Sequence, residues 1–161
     1  MYGKKVLVFI GSHGVSNVKN LINHTSIIIF ASNDSKFYNH QKFDYRESTF
    51  GRKVKYATIG AGPINGKLVC AYNRAKDIDL NIKIEMIYLE QANENTVDLL
   101  LVAADNYIKN SNATDYDATA LRGYNSNSFT HGLLKAAGVK VPRTPAFALG
   151  WSNPVPARKF L

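Results

Sequence analysis

The sequence predicts an α+β domain, an antiparallel sheet of about four to five strands packed on two or three helices. Two observations predict it. Short, β-branched apolar runs fill the first half of the chain, and apolar residues at helical spacing fill the second. Turn formers such as Gly60-Ala61-Gly62-Pro63-Ile64-Asn65-Gly66 separate two of the runs. With 45% apolar and 20% charged residues, the 161-residue chain has the composition of one globular domain.

Residues 4–10 read as a buried strand that ends in a loop, Gly11-Ser12-His13-Gly14. Residues 25–31, Thr-Ser-Ile-Ile-Ile-Phe-Ala, are the strongest strand signal. The polar, aromatic stretch Ser32 to Arg52 is too long for a hairpin loop and is expected to carry irregular or functional structure. Residues 54–60 and 67–73 read as a hairpin joined through 60–66. A further strand is expected over about 82–89. Asn93 or Asn95 can cap a helix whose Val97, Leu100, Leu101, Ala104 and Ile108 share one face, running to about Lys109. Residues 110–124 are loop-like. A second helix is expected over about 126–137, with Phe129, Leu133, Leu134 and Ala137 on its apolar face and Gly138 ending it. From about residue 139 the chain holds Pro142, Pro145, Pro154 and Pro156, an extended tail laid over the body.

Charge and cysteine content narrow the function classes. The net charge of +8 favours anionic partners: nucleic acid, acidic headgroups or acidic polymers. Cys70, the lone cysteine, excludes an internal disulfide and argues against a cysteine-based metal site; its apolar surroundings read as core. No cofactor motif is present. Gly60 to Leu68 has the wrong glycine spacing for a phosphate loop, with Leu68 at its Ser/Thr position. Lys5 to Gly14 lacks the dinucleotide-binding glycines. Asp77 and Asp79, two apart, read as a solvated turn entering a strand. No run is long enough for a transmembrane helix, and no Sec signal follows Lys4-Lys5, so the expectation is a cytoplasmic protein or one exported without a signal peptide.

The chemistry centres on Asn125-Ser126-Asn127-Ser128. Four small polar residues ahead of an apolar helical pattern are a capping sequence, since Asn and Ser accept from first-turn N–H groups. The same place suits a nucleophile: Ser126 would sit at the positive end of the helix, among donors that favour an oxyanion. Serine needs a general base. His24 is the leading candidate, because it heads the Ile-rich strand. His13, on its expected loop, and His40, in the long polar stretch, are site-lining candidates; His131, on the helix, reads as structural.

A histidine heading a strand, further strands, then a helix begun by Asn-Cys-x-x-Phe is the pattern of circularly permuted NlpC-type papain-like hydrolases, including the lecithin retinol acyltransferase-like group. His24-Thr25-Ser26-Ile27-Ile28-Ile29 and Asn125-Ser126-Asn127-Ser128-Phe129 resemble it over roughly residues 20–138, with Ser126 where that pattern has cysteine. The resemblance implies a papain-like hydrolase or acyltransferase acting on an ester, thioester or amide of a lipid or peptide (peptidoglycan included), with an anionic or acylated substrate and no cofactor or metal. It also implies a third polar group that orients the base from the strand beside the histidine strand, for which Thr58 and Tyr56, or His40 or Tyr124 from elsewhere, are the candidates. The Asn-Ser-Asn-Ser run is also similar to the ends of bacterial effectors and toxins, which would imply an immunity or carrier partner. The alternative is a basic, non-enzymatic binding module for nucleic acid or an anionic surface. The nine Tyr and eight Phe are scattered and do not interleave with a basic run, which argues against nucleic acid.

Overall fold

The computed structural model describes residues 4–14, 23–47, 53–78, 85–110 and 114–161. Asp79 and part of the strand expected at 82–89 lie outside these residues. The fold is α+β. Its strands are β1 (Val6–Gly14), β2 (Asn23–Ala31), β3 (Asp44–Glu47), β4 (Lys53–Ile64), β5 (Lys67–Tyr72) and β6 (Glu85–Tyr88). Its helices are the single turn α1 (Ala75–Ile78), then α2 (Glu94–Asn110) and α3 (Ser126–Ala136). The sheet runs β3-β4-β2-β1-β6, with β5 folded back on β4, and each of its pairings is antiparallel.

Two expectations are corrected here. Gly11-Ser12-His13-Gly14 is strand, not loop: β1 keeps pairing with β2 out to Gly14↔Asn23. The hairpin turn is also shorter than expected. β4 runs through Gly60-Ala61-Gly62 to Ile64, and only Asn65-Gly66 turns, with φ of 49° and 73°. An Asn-Gly pair with both φ positive matches the twist of an antiparallel hairpin, so the turn needs no more residues.

Strand alternation sorts the sheet into two faces. Val8, Ile10, Ile27, Ile29, Ile59, Ala61 and Leu68 form the core with Leu100, Tyr107, Phe129 and Leu133 of α2 and α3. The opposite face carries Phe9, Phe30, Tyr56 and Tyr88, whose rings meet at centroid distances of 5.2 to 6.5 Å. The helices are built as their spacing requires except at the end of α2, where Ile108, expected on the apolar face, is 39% exposed and Tyr107 is the buried residue. Asn93 Oδ1 accepts from the Thr96 N–H at the start of α2. Gly138, at φ 68°, follows α3. The tail lies over the body: Trp151, Val155 and Phe160 are buried, and Val155 N–H donates to the Ser128 carbonyl.

Of the stretch expected to be irregular, Asp44–Glu47 is instead strand β3, paired with β4, while Ser32 to Phe43 is irregular and pinned by polar contacts. Asn73, at φ 50°, is its clamp. Its Oδ1 accepts from Thr58 N–H at 2.8 Å, and its Nδ2 donates to the Lys42 carbonyl at 3.0 Å and to Asp44 at 2.8 Å. Replacing Asn73 with Ala removes all three bonds while asking Ala to hold a left-handed backbone; a loss of about 2–3 kcal/mol in urea unfolding is expected. Lys42 pairs with Asp105 of α2, and the Tyr72 hydroxyl donates to Asp105 at 2.8 Å. Burial pushes the Asp105 carboxyl up, but the bonds from Lys42 and Tyr72 outweigh it and hold it below the usual carboxylate range. Its folded pKa is therefore depressed, so its stabilisation is present above the ordinary Asp value and disappears as pH falls through the lowered one. Between pH 5 and pH 3, Asp105→Asn should flatten the fall of Tm with acid relative to wild type.

Candidate active site

The site is built at one end of the sheet, where β2 begins with Asn23-His24-Thr25-Ser26. The ladder between β2 and β4 stops at Ile27↔Ile59, while β4 continues with β5 to Ile64↔Lys67. The first four residues of β2 thus stand outside the β4 ladder. His24 faces His13 directly across β1, and their rings lie 4.8 Å apart. His24 is 9% exposed and His13 4%, so both are nearly enclosed.

The partner of His24 is Asp77 of α1. Nε2 and Oδ1 are 2.8 Å apart, and the Asp77 side chain is fully buried. This overturns the expectation of a solvated Asp77. A carboxylate only accepts, so Nε2 carries the proton of the bond, and in the neutral ring Nδ1 is the nitrogen that can take a proton. The Arg74 Nε lies 3.8 Å from the second Asp77 oxygen. The sheet leaves space for these groups through two glycines. A Cβ on Gly60 would come within 2.2 Å of Asp77 Oδ2, and one on Gly62 within 2.4 Å of Arg74 Nη2. The Gly-Ala-Gly of β4 is therefore the floor under an acid and a guanidinium.

Ser126 opens α3, and Asn125 is its cap. The four polar residues divide their roles. Asn125 Oδ1 accepts from the N–H groups of Asn127 and Ser128, while its Nδ2 donates to the carbonyls of Ala118 and Leu149. Asn127 Nδ2 donates to the Asn23 carbonyl at 2.7 Å and to Leu149 at 2.9 Å. Ser128 Oγ donates to the Gly150 carbonyl at 3.0 Å. Among the described residues, Ser126 alone of the four contributes no side-chain hydrogen bond to this clamp. The cap also takes most of the first-turn donors expected to serve an oxyanion, with Phe129 N–H bonded to the Asn125 carbonyl.

The bond from Asn127 to Asn23 ties the start of α3 to the residue before His24. The strand alternation nevertheless places the His24 side chain on the Ile28 face, whereas α3 packs on the Ile27 and Ile29 face. Ser126 and His24 flank the same end of β2 from its two sides. Thr58 lies on the His24 face, opposite Ile28, fully buried. Tyr56 shares that face but sits by Phe30, away from the His24 end. Tyr124 is half-buried and bridges to Tyr116. His40 accepts from Lys42 N–H and packs between Phe37 and Phe43, a local structural role in the irregular segment. His131 stacks on Trp151 at 4.8 Å, as a structural residue would. Cys70 is buried in the core, and burial pushes its thiol well up, so it is inert. Among the described residues, no three His, Cys, Asp or Glu side chains are grouped to hold a metal ion, and no helix is long and apolar enough to cross a membrane.

Asp77 and Arg74 are the residues beside His24 that the sequence did not single out as candidates. One signal was available. Two glycines spaced by one residue inside a strand leave room on one face for something large to lie against the backbone. Comparison with known proteins adds no name to this arrangement: no family model matches the chain, and neither a curated protein nor a solved structure shows significant similarity to it.

Proposed function

We propose that the chain is a hydrolase or acyltransferase of esters, thioesters or amides, with His24 as general base, Asp77 orienting it and Ser126, on the other face of the sheet, as nucleophile, the two reaching each other around the start of β2, which stands outside the β4 ladder. The observation that carries this reading is the buried His24–Asp77 bond at 2.8 Å. A carboxylate that fixes the tautomer and ring of a histidine is the supporting half of a nucleophilic triad. Ser126 adds a hydroxyl that the helix cap does not use, tied through Asn127 to the residue beside that histidine. The resemblance to permuted papain-like hydrolases agrees in the order of histidine and nucleophile, and the +8 charge suits an anionic or acylated substrate.

The test is hydrolysis of p-nitrophenyl ester, thioester and peptide anilide substrates. Ser126→Ala and His24→Ala should each lower the rate by at least about a thousandfold. A fluorophosphonate should label wild type and not Ser126→Ala. Full activity in either variant would end the triad assignment.

A second reading is favoured by one observation, the pairing of His13 with His24 on the face away from α3. Two histidines beside a guanidinium fit phosphoryl transfer in which the substrate supplies its own nucleophile. In that case phosphodiester cleavage would be lost in both His13→Ala and His24→Ala and kept in Ser126→Ala.

A further inference from the structure

Arg74 stands out beside the base. Its side chain is 23% exposed, and the guanidinium lies against the β4 backbone at Gly62. Among the described residues none of its five N–H donors makes a hydrogen bond. The nearest carboxylate oxygen, on Asp77, is 3.8 Å from Nε, beyond bonding distance, and Nη1 is buried without an acceptor. Native structures rarely leave buried donors unbonded, and a guanidinium is a fixed planar fork that matches the two oxygens of a carboxylate or phosphate. Two further hydroxyls, Ser26 Oγ and Thr58 Oγ1, are fully buried and unbonded among the described residues, on the same face of the sheet as His24.

We infer that Arg74 is an oxyanion-binding subsite that holds a carboxylate or phosphate group of the substrate next to His24. This rests on the reading of the His24 end as the active site and adds the substrate class: molecules with an acidic group close to the bond that reacts. Gly62 is the residue that permits it. Asp77 holds the guanidinium's charge near the base without occupying its donors.

Binding of inorganic phosphate and of acetate, each measured by titration calorimetry at constant ionic strength, tests it without reference to turnover. Wild type should bind one equivalent. Arg74→Gln should weaken binding by about tenfold or more, and Arg74→Lys, which keeps the charge but not the fork, should fall between. Arg158→Gln, on the exposed tail, should bind as wild type does. A preference for phosphate or for acetate tells which acidic group the fork takes. Equal binding by wild type and Arg74→Gln at unchanged Tm overturns the subsite, because the anion is then held by diffuse surface charge. Absence of one-site binding in wild type overturns it as well. Ser126→Ala should bind normally, so a failure of the acyl-transfer reading shows in turnover and not here.

Discussion

Asp77→Asn is expected to lower turnover by about 10³ to 10⁴ while the fold survives. The change is nearly isosteric, so it keeps the volume over Gly60 and leaves the α1 turn undisturbed. It removes the acceptor that fixes the proton on His24 Nε2. An amide can offer His24 its NH₂ in place of an oxygen, which would turn the ring to the other tautomer and put the proton on Nδ1, the nitrogen meant to receive one. Asp77 also faces Arg74, so the variant leaves a guanidinium without its nearest carboxylate, and some loss of Tm accompanies the loss of rate. Rate and stability are separated by the pH profile. A positioning role for Asp77 predicts that the pH at which kcat/KM rises shifts in Asp77→Asn; a purely structural role predicts an unshifted profile with less folded enzyme. Gly60→Ala should act through the same group, since its Cβ would meet Asp77 Oδ2 at 2.2 Å and push the carboxylate off His24. The double variant should then be little worse than Asp77→Asn alone, as expected when two changes break one contact. Wild-type rates in Asp77→Asn would reduce the His24–Asp77 pair to a structural bond.

The parts of the fold that follow from local periodicity were legible. The Ile-rich strand, both long helices and the cap at Asn125 each declare themselves within about ten residues. Of the candidate site, only the local structure was legible, the strand head at His24 and the helix start at Ser126, because each is marked by its own neighbours. Asp77 was not, because its meaning depends on β4. In sequence it sits among Arg74, Ala75 and Lys76, a polar run that reads as solvent-facing. In the fold a single helical turn drops it onto Gly60, a contact that no local period encodes. His13 failed for a related reason. Glycine and serine around it signal a turn, yet a nine-residue ladder with β2 overrides that preference. The face on which His24 lies also required the register, because a shift of one residue exchanges the two faces of a strand.

The tail makes the second large effect. Phe160→Ala should cost about 3–5 kcal/mol in urea unfolding, a substantial share of the stability of a domain this size. Phe160 is 2% exposed and completes an aromatic trio, with ring centroids 5.2 Å from Tyr107 of α2 and 5.7 Å from Phe129 of α3. Gly132 shows how closely this segment sits. A Cβ there would meet the Val155 carbonyl oxygen at 2.5 Å and the Phe160 ring at 3.0 Å. Removing the ring opens a cavity between two helices whose backbones are already held, so the walls cannot close on it. By contrast Phe147, 64% exposed on the same tail, should change stability by no more than about 0.5 kcal/mol when replaced by Ala. The same comparison reports on the site. The carbonyls of Leu149 and Gly150 receive Asn125, Asn127 and Ser128, so the tail helps fix the first turn of α3 on which Ser126 rides. Loosening its anchor at Phe160 should therefore lower kcat at temperatures where the protein is still fully folded, and Phe160→Leu, which keeps most of the volume, should restore it. If Phe160→Ala unfolds earlier but turns over normally below its transition, the tail holds the core and not the catalytic serine.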